Sequence, residues 1–279
     1  MSLYTREIQV MCAAAREAGA LAQQGFGGPM EVEQKGGGEG PVSNYDKACD
    51  ALLRQRIGEA FADDAMLTEE TDDDGAWKTA RRVWIIDPID GTQEYVTGVP
   101  QYAIMIGLCV DGHPAAGVVF APAQDLLLWG VVDEGATLEQ DGNARPLQVT
   151  PRRADEAWRM AVSRSHKSSK IDRICEAMGV VEQMPMGSVG LKIASVSQGQ
   201  THCYMAATHR IKLWDTCGPH AVLAAAGGDM RDLRGRPLDY RETVNHPWGL
   251  LAGLIEDLPG LAEITAPLAA DFFANSYTR

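Results

Sequence analysis

Apolar positions along this chain change period several times, and each change marks an element. Ile8, Met11, Ala14, Ala15, Ala18 and Leu21 recur every three or four residues, which predicts an amphipathic helix ended by Gly25, Gly27 and Gly28. Gly36-Gly37-Gly38-Glu39-Gly40 follows, four glycines in five residues with little backbone preference. A mobile lid and a slack connector both fit it. Ser43-Asn44-Tyr45-Asp46 then caps a helix carried by Ala48, Leu52, Leu53 and Ile57. Ala65-Met66-Leu67 and Val83 to Ile86 are short apolar runs of strand type, with Pro88 unable to donate to a continuing ladder. Tyr102 to Val110, an Asp111-Gly112 turn, Ala116 to Phe120 and Leu126 to Val132 predict an antiparallel meander. Beyond lie a strand at Met160 to Ser163, helices over Lys170 to Met178 and Ser188 to Ser197, and strands at His202 to Ala206 and Leu250 to Ile255. Between those last two strands, Gly218 to Gly228 predicts a helix of small residues ended by glycines, with Asp215 as its N-cap.

Acidic residues gather where the apolar runs stop. In Asp87-Pro88-Ile89-Asp90-Gly91-Thr92, Asp87 falls at a strand's C-terminal edge and Asp90 in the turn beyond it. Glu69-Glu70 ends the preceding strand. Carboxylates converging on one volume repel unless a cation lies between them, and an all-oxygen set with a backbone carbonyl suits a hard ion such as Mg2+ or Mn2+. Gly91 lets backbone N–H groups approach a phosphate, and Thr92 adds a hydroxyl at a helix start that favours anions. Each piece also has an ordinary explanation, an Asx-rich turn or a helix cap.

The set is more specific than its parts. An E-E pair after a strand, then WIIDPIDGT, then WD before a small-residue helix ending in GG resembles the Mg2+-dependent, lithium-sensitive phosphatase superfamily. Inositol monophosphatases, fructose-1,6-bisphosphatases and 3'(2'),5'-bisphosphate nucleotidases belong to it, and the likeness runs from about Lys35 to Tyr240. Asp90 to Tyr95 is similar to the DGTKEF string of the nucleotidase branch, with Gln93 in place of the lysine. Ser163-Arg164-Ser165-His166, Gly187-Ser188 with Leu191-Lys192, and Arg236 to Tyr240 resemble further segments of that branch. The GS…LK segment is one residue longer than the usual form, and Ser43 to Asp46 stands where the superfamily has T-x-A-D.

This resemblance implies an α/β fold, a layered α/β/α/β/α sandwich of two sheets, with a boundary near Pro146 to Arg153 dividing 1–148 from 149–279. Metal ligands would be Glu69, Asp87, the Ile89 carbonyl, Asp90 and Asp215, holding two or three Mg2+ ions with Mn2+ as a substitute; Glu69 is also assigned a catalytic part. Thr92, oriented by Asp46, would position and activate water, and Gly91 and Thr92 N–H groups would hold the phosphoryl oxygens. Ser165 and His166 are candidates for a nucleoside, and Ser188, Lys192, Arg210 and Lys212 for a second phosphate or a sugar hydroxyl. The expected reaction is removal of the 3'-phosphate from 3'-phosphoadenosine 5'-phosphate, with inositol 1-phosphate or another sugar phosphate as the alternative ester. A catalytically silent phospho-nucleotide-binding protein is the reading from another class. It would be signalled by loss of Asp46, Thr92 or a ligand, and all are present.

Charge sharpens this picture. Lys plus Arg number 25 against 38 Asp plus Glu, so 25 − 38 = −13. Nucleic acid is an unfavourable partner for such a chain. An acidic protein that accepts an anionic small-molecule ester must reverse its local field, which bound divalent cations do directly. Six cysteines without a CxxC spacing predict reduced, mostly buried thiols. No apolar run is long enough for a membrane span and no signal segment opens the chain, so a cytoplasmic location is expected. The resemblance adds a homodimer as an option.

Overall fold

The computed structural model describes residues 3–36 and 40–274; Gly37 to Glu39, the middle of the glycine-rich segment, lie outside the described residues, so neither the lid nor the connector reading is addressed. Five layers stack in the expected order. Helices α1 (Thr5–Gly25) and α2 (Asn44–Ala60) cover one face of a seven-stranded sheet. Its strands follow chain order: β3 (Ala65–Thr68), β4 (Arg82–Asp90), β5 (Ala103–Val110), β6 (His113–Ala121), β7 (Leu126–Val131), β8 (Gly135–Gln140) and β9 (Asn143–Leu147). Only β3 and β4 run parallel, and the rest is the antiparallel meander the alternation predicts. Helices α5 (Val189–Ser197) and α6 (Leu213–Ala225) form the middle layer. A five-stranded sheet follows, its order β11 (Val180–Met186), β10 (Trp158–Ser163), β12 (Cys203–Ala206), β14 (Leu250–Leu254) and β13 (Gly228–Arg231). Its outer face is covered by α4 (Ser169–Met178) and α7 (Leu258–Phe273). A hairpin of β1 (Val32–Lys35) and β2 (Gly40–Ser43) stands apart from both sheets.

Two local features position the chemistry. The first is a β-bulge. Asp87 lies opposite Met105 and Asp90 opposite Ala103, so Pro88 and Ile89 together oppose Ile104 alone. Side chains three apart on a regular strand point to opposite faces; the extra residue cancels that flip and aims both carboxylates the same way. This corrects the expectation that the strand stops before Asp90.

The second is a trench of glycines. Gly107, Gly117 and Gly130 are cross-strand neighbours on β5, β6 and β7, and α6 lies in the trench. A Cβ on Gly117 would sit 2.3 Å from the Gly218 carbonyl oxygen, one on Gly107 2.6 Å from the Gly218 amide nitrogen, and one on Gly130 2.7 Å from the Ala225 Cβ. Cys217, Gly218, Ala221 and Ala225 complete the fit, which explains the small residues on that face of α6. Gly117→Ala should cost about 1–3 kcal/mol of overpacking, because its nearest obstacle is backbone and cannot rotate aside. An unchanged urea midpoint for that variant would show that the helix does not depend on this approach.

Candidate active site

The bulge on β4 and the first turn of α6 bring Asp87, Asp90 and Asp215 together, with one carboxylate oxygen from each within 4.8 Å of the others. Asp215 is not the N-cap of α6. Lys212 takes that place, and Asp215 is the third helical residue, its Oδ2 accepting from the Lys212 amide at 2.6 Å. The error has a simple source: helix propensity gives no reason to start α6 before Trp214, while the bridge between Lys212 and Asn245 sets the entry.

Burial governs the electrostatics. It raises the Asp87 carboxyl well above the ordinary range, and the charges of Glu69, Asp90 and Asp215 raise it further. Asp215 is raised for the same reasons, burial first and then Asp90 and Glu69, against a lowering pull from Lys212. Asp90 is also raised by burial, which outweighs the Lys192 charge and the hydrogen bonds it accepts. Two buried carboxylates and a half-buried third, repelling one another and offering only oxygen, fit a hard divalent cation.

Glu69 sits at the end of β3, its amide bonded to the Ile86 carbonyl, close enough in charge to raise Asp87 and Asp215. Its Oε1 lies 2.7 Å from Lys35 Nζ, which also meets Glu70 Oε1 at 2.6 Å. Burial, followed by the Glu69 charge, pushes Glu70 up to about 7, with Lys35 opposing. Lys35 is a site residue that pattern reading passed over, since a lysine ending a polar strand looks like a solvated side chain.

Beside the acidic cluster stands a hydroxyl. Thr92 Oγ1 is 2.9 Å from Asp46 Oδ1 and 3.0 Å from the Ile89 carbonyl oxygen; its single proton can go to one of them at a time, and the Asp46 carboxylate is the stronger acceptor. Asp46 is fixed from behind by the capping box expected of this segment. Its Oδ2 accepts from the Ser43 amide at 2.8 Å and the Ser43 hydroxyl at 2.5 Å, and Ser43 Oγ accepts from the Asp46 amide. Gly91 caps the short helix α3 (Thr92–Val96) in the left-handed region at φ 93°, where a Cβ would strike the Gln101 carbonyl. The first N–H groups of α3 therefore have no intrahelical acceptor.

The residues singled out for substrate divide. Ser188 and Lys192 are buried beneath Asp90 instead of lining an open subsite. Ser188 Oγ donates to Asp90 Oδ2 at 2.5 Å, the Gly190 amide donates to the same oxygen at 2.8 Å, and Lys192 Nζ donates to the Ser188 carbonyl at 2.6 Å. Burial pushes Lys192 down to about 8 against the pull of Asp90. Every residue of α5 is buried, so a lysine that looks like surface in sequence is interior in fact. Ser165, His166 and Arg210 are exposed, and Lys212 lies with its ammonium 5.2 Å from the Trp214 ring centre. Ser165 donates to Glu94, which is buried and presses on Gly187. Gln101 Oε1 accepts from both Arg164 Nε and the Gly187 amide at 2.9 Å. Glu94 and Gln101 thus fasten the Arg164 to His166 loop to the α3 region, a role that no sequence spacing announces.

Among the described residues no helix is long and apolar enough to cross a membrane. The model of the inositol monophosphatase family matches residues 4–261. The 3'(2'),5'-bisphosphate nucleotidase CysQ of Escherichia coli (strain K12) is 31% identical over 244 residues, spanning 85% of this chain and 96% of that protein. Two solved structures share the fold. Extragenic suppressor protein suhB from Bartonella henselae gives a TM-score of 0.81 at 24% identity, covering 94% of this chain and 98% of its own. An IMPase from Thermotoga maritima gives 0.80 at 22% identity, covering 96% and 100%. A family match across nearly the whole length, joined to this acidic site, makes the chain a phosphatase that belongs to the inositol monophosphatase family.

Proposed function

We propose that this phosphatase removes the 3'-phosphate of 3'-phosphoadenosine 5'-phosphate in a Mg2+-dependent reaction. The observation that carries the chemistry is the convergence of Asp87, Asp90 and Asp215 beside the Thr92–Asp46 pair. Glu69, Asp87, the Ile89 carbonyl, Asp90 and Asp215 would hold the ions. Bound there, divalent cations supply charge neutralisation at the phosphoryl group and acidify water. Asp46 directs the Thr92 hydroxyl so that its oxygen can accept from the attacking water, and N–H groups of Gly91 and Thr92 face the phosphoryl oxygens. The bulge fixes Asp90 and Asp87 before substrate arrives, so little reorganisation remains. No covalent phosphoenzyme is required.

The choice of ester rests on the CysQ relative, whose name states a bisphosphate nucleotidase, and on the His166, Arg210 and Lys212 side chains, which are candidates for the nucleoside and the 5'-phosphate. A second reading has its own support. With Ser188 and Lys192 buried under Asp90, the second anion subsite is smaller than the sequence suggests, which favours a monophosphate such as inositol 1-phosphate. Phosphate release from the two esters decides between them. One charge-assisted contact to the 5'-phosphate is worth about 1.5–3 kcal/mol, roughly a 10- to 100-fold preference in kcat/KM for the adenosine bisphosphate. Equal or reversed ratios would select the smaller ester, and turnover that persists in EDTA would remove the metal from the proposal.

A further inference from the structure

Behind Asp215 runs an unbroken chain of side-chain hydrogen bonds, buried except at its half-buried Asp229 end, that the chemistry above does not use. Asp229 Oδ1 on β13 lies 2.8 Å from His220 Nε2 on α6. The other ring nitrogen, His220 Nδ1, lies 3.1 Å from the Tyr240 hydroxyl, which donates to Thr216 Oγ1 at 3.1 Å. Thr216 Oγ1 in turn lies 2.8 Å from His246 Nε2. Thr216 and Tyr240 are 0% and 1% exposed, and His246 and His220 only 3% and 7%. A polar chain this deep is costly unless each member is satisfied, so it specifies one arrangement of the elements that carry it.

Those elements are the ones that set Asp215. Thr216 and His220 are four residues apart and share one stripe of α6, and the Tyr240 hydroxyl bridges them across a full turn. Thr216 follows Asp215 directly, about 100° around the helix. Any rotation of α6 that swings Asp215 away from Asp87 and Asp90 therefore pulls Thr216 off Tyr240 and His246. The segment holding His246 also lies against the entry to α6. The Leu213 amide donates to the Val244 carbonyl at 2.8 Å, and the His246 amide to the Ile211 carbonyl at 2.8 Å. The glycine trench fixes how closely α6 approaches the sheet and favours the face that presents Gly218; the buried hydrogen bonds add a directional restraint at the turn that carries Asp215.

We propose that Thr216, Tyr240 and His220, with Asp229 and His246 as the ends of the chain, are positioning residues that lock the rotation of α6 and so hold Asp215 on the cation site. The inference rests on Asp215 being a ligand, as proposed above. Mn2+ binding to the purified full chain, read by electron paramagnetic resonance without substrate, tests it beside melting temperature and kcat at saturating metal. Tyr240→Phe and Thr216→Val should raise the Mn2+ dissociation constant by about 10-fold or more, the range for groups that orient a ligand. Thr216→Ser, which keeps the hydroxyl, should bind nearly as the parent does, although it loses the same packing methyl as any truncation. Parent-like Mn2+ affinity in Tyr240→Phe and Thr216→Val overturns the proposal, as does a Thr216→Ser variant as weak as the valine. If Thr216→Val does not fold, Tyr240→Phe and Thr216→Ser decide. Failure of the metal reading looks different: the parent chain binds no Mn2+, or Asp215→Asn binds it as the parent does.

Discussion

Asp90→Asn is expected to lose turnover by roughly 10^3-fold or more, the consequence of removing several kcal/mol of cation-mediated charge stabilisation, while the protein stays folded. Asparagine is nearly isosteric, and its carbonyl oxygen can still accept from the Ser188 hydroxyl and the Gly190 amide, the two contacts that seat Asp90 Oδ2. What is lost is one negative charge beside Asp87 and Asp215. In metal-free protein that loss should be stabilising, and the pH dependence follows from the sign of the shifts. Asp87, Asp90 and Asp215 have raised values in the fold, first of all through burial. They bind protons more tightly folded than unfolded, so their stability contribution is complete below pH ~4, the unfolded carboxylate value, and declines as pH rises through the folded values. Thermal melts in EDTA at pH 5 and pH 8 should therefore show a smaller decline with pH for Asp90→Asn than for the parent. Added Mg2+ should recover the loss in the parent and much less of it in the variant. Turnover within tenfold of the parent, or identical Mg2+ stabilisation of both proteins, would remove Asp90 from the metal site.

How far the sequence reveals this site depends on what each residue rests against. The helices α1, α2 and α4 are legible because each buries a periodic apolar face, and α5 and the central meander strands because they are apolar runs bounded by turn residues. The acidic strings are legible because they interrupt such faces. Edge elements without such a run are not. β1, β9 and β11 carry exposed polar residues on strands with a partner on one side only, so Val32–Lys35 or Val180–Met186 shows no alternation to detect. In α7, Pro267 interrupts an otherwise readable helix that burial of Leu258, Leu261, Thr265, Ala269 and Phe273 holds together. β13, four residues opening on glycine, is set by its pairing with β14. At the site itself, the string Asp87 to Asp90 names both carboxylates but not the bulge that makes them face one another. Nor does it reveal that Lys192 supports Asp90 from within. That outcome depends on a second sheet closing over α5, a tertiary fact with no local signature. The row formed by Gly107, Gly117 and Gly130 is present in the sequence yet means nothing until strand register aligns it under α6.

Thr92→Val should separate metal binding from catalysis. The hydroxyl of Thr92 lies between Asp46 Oδ1 at 2.9 Å and the Ile89 carbonyl at 3.0 Å, so Asp46, a buried carboxylate outside the proposed ligand set, places it beside the acidic cluster. Burial raises Asp46 above its ordinary value, against lowering by the Ser43 and Thr92 hydrogen bonds; the Ser43 bonds meanwhile keep the carboxylate aimed at Thr92. Orientation of the nucleophile by a placed proton-transfer group is worth about 10^2- to 10^4-fold, so kcat should fall by that factor. KM and Mn2+ affinity should hold near the parent values, because valine leaves the α3 backbone and every carboxylate in place. Thr92→Ser restores the oxygen and should restore most of kcat. The contrast with Asp90→Asn is the discriminating result: one variant binds the cation and fails at the chemical step, the other fails to bind it. A Thr92→Val enzyme with kcat within threefold of the parent would mean that water is oriented elsewhere, and Glu70, held up near 7 beside Glu69, would become the group to test next.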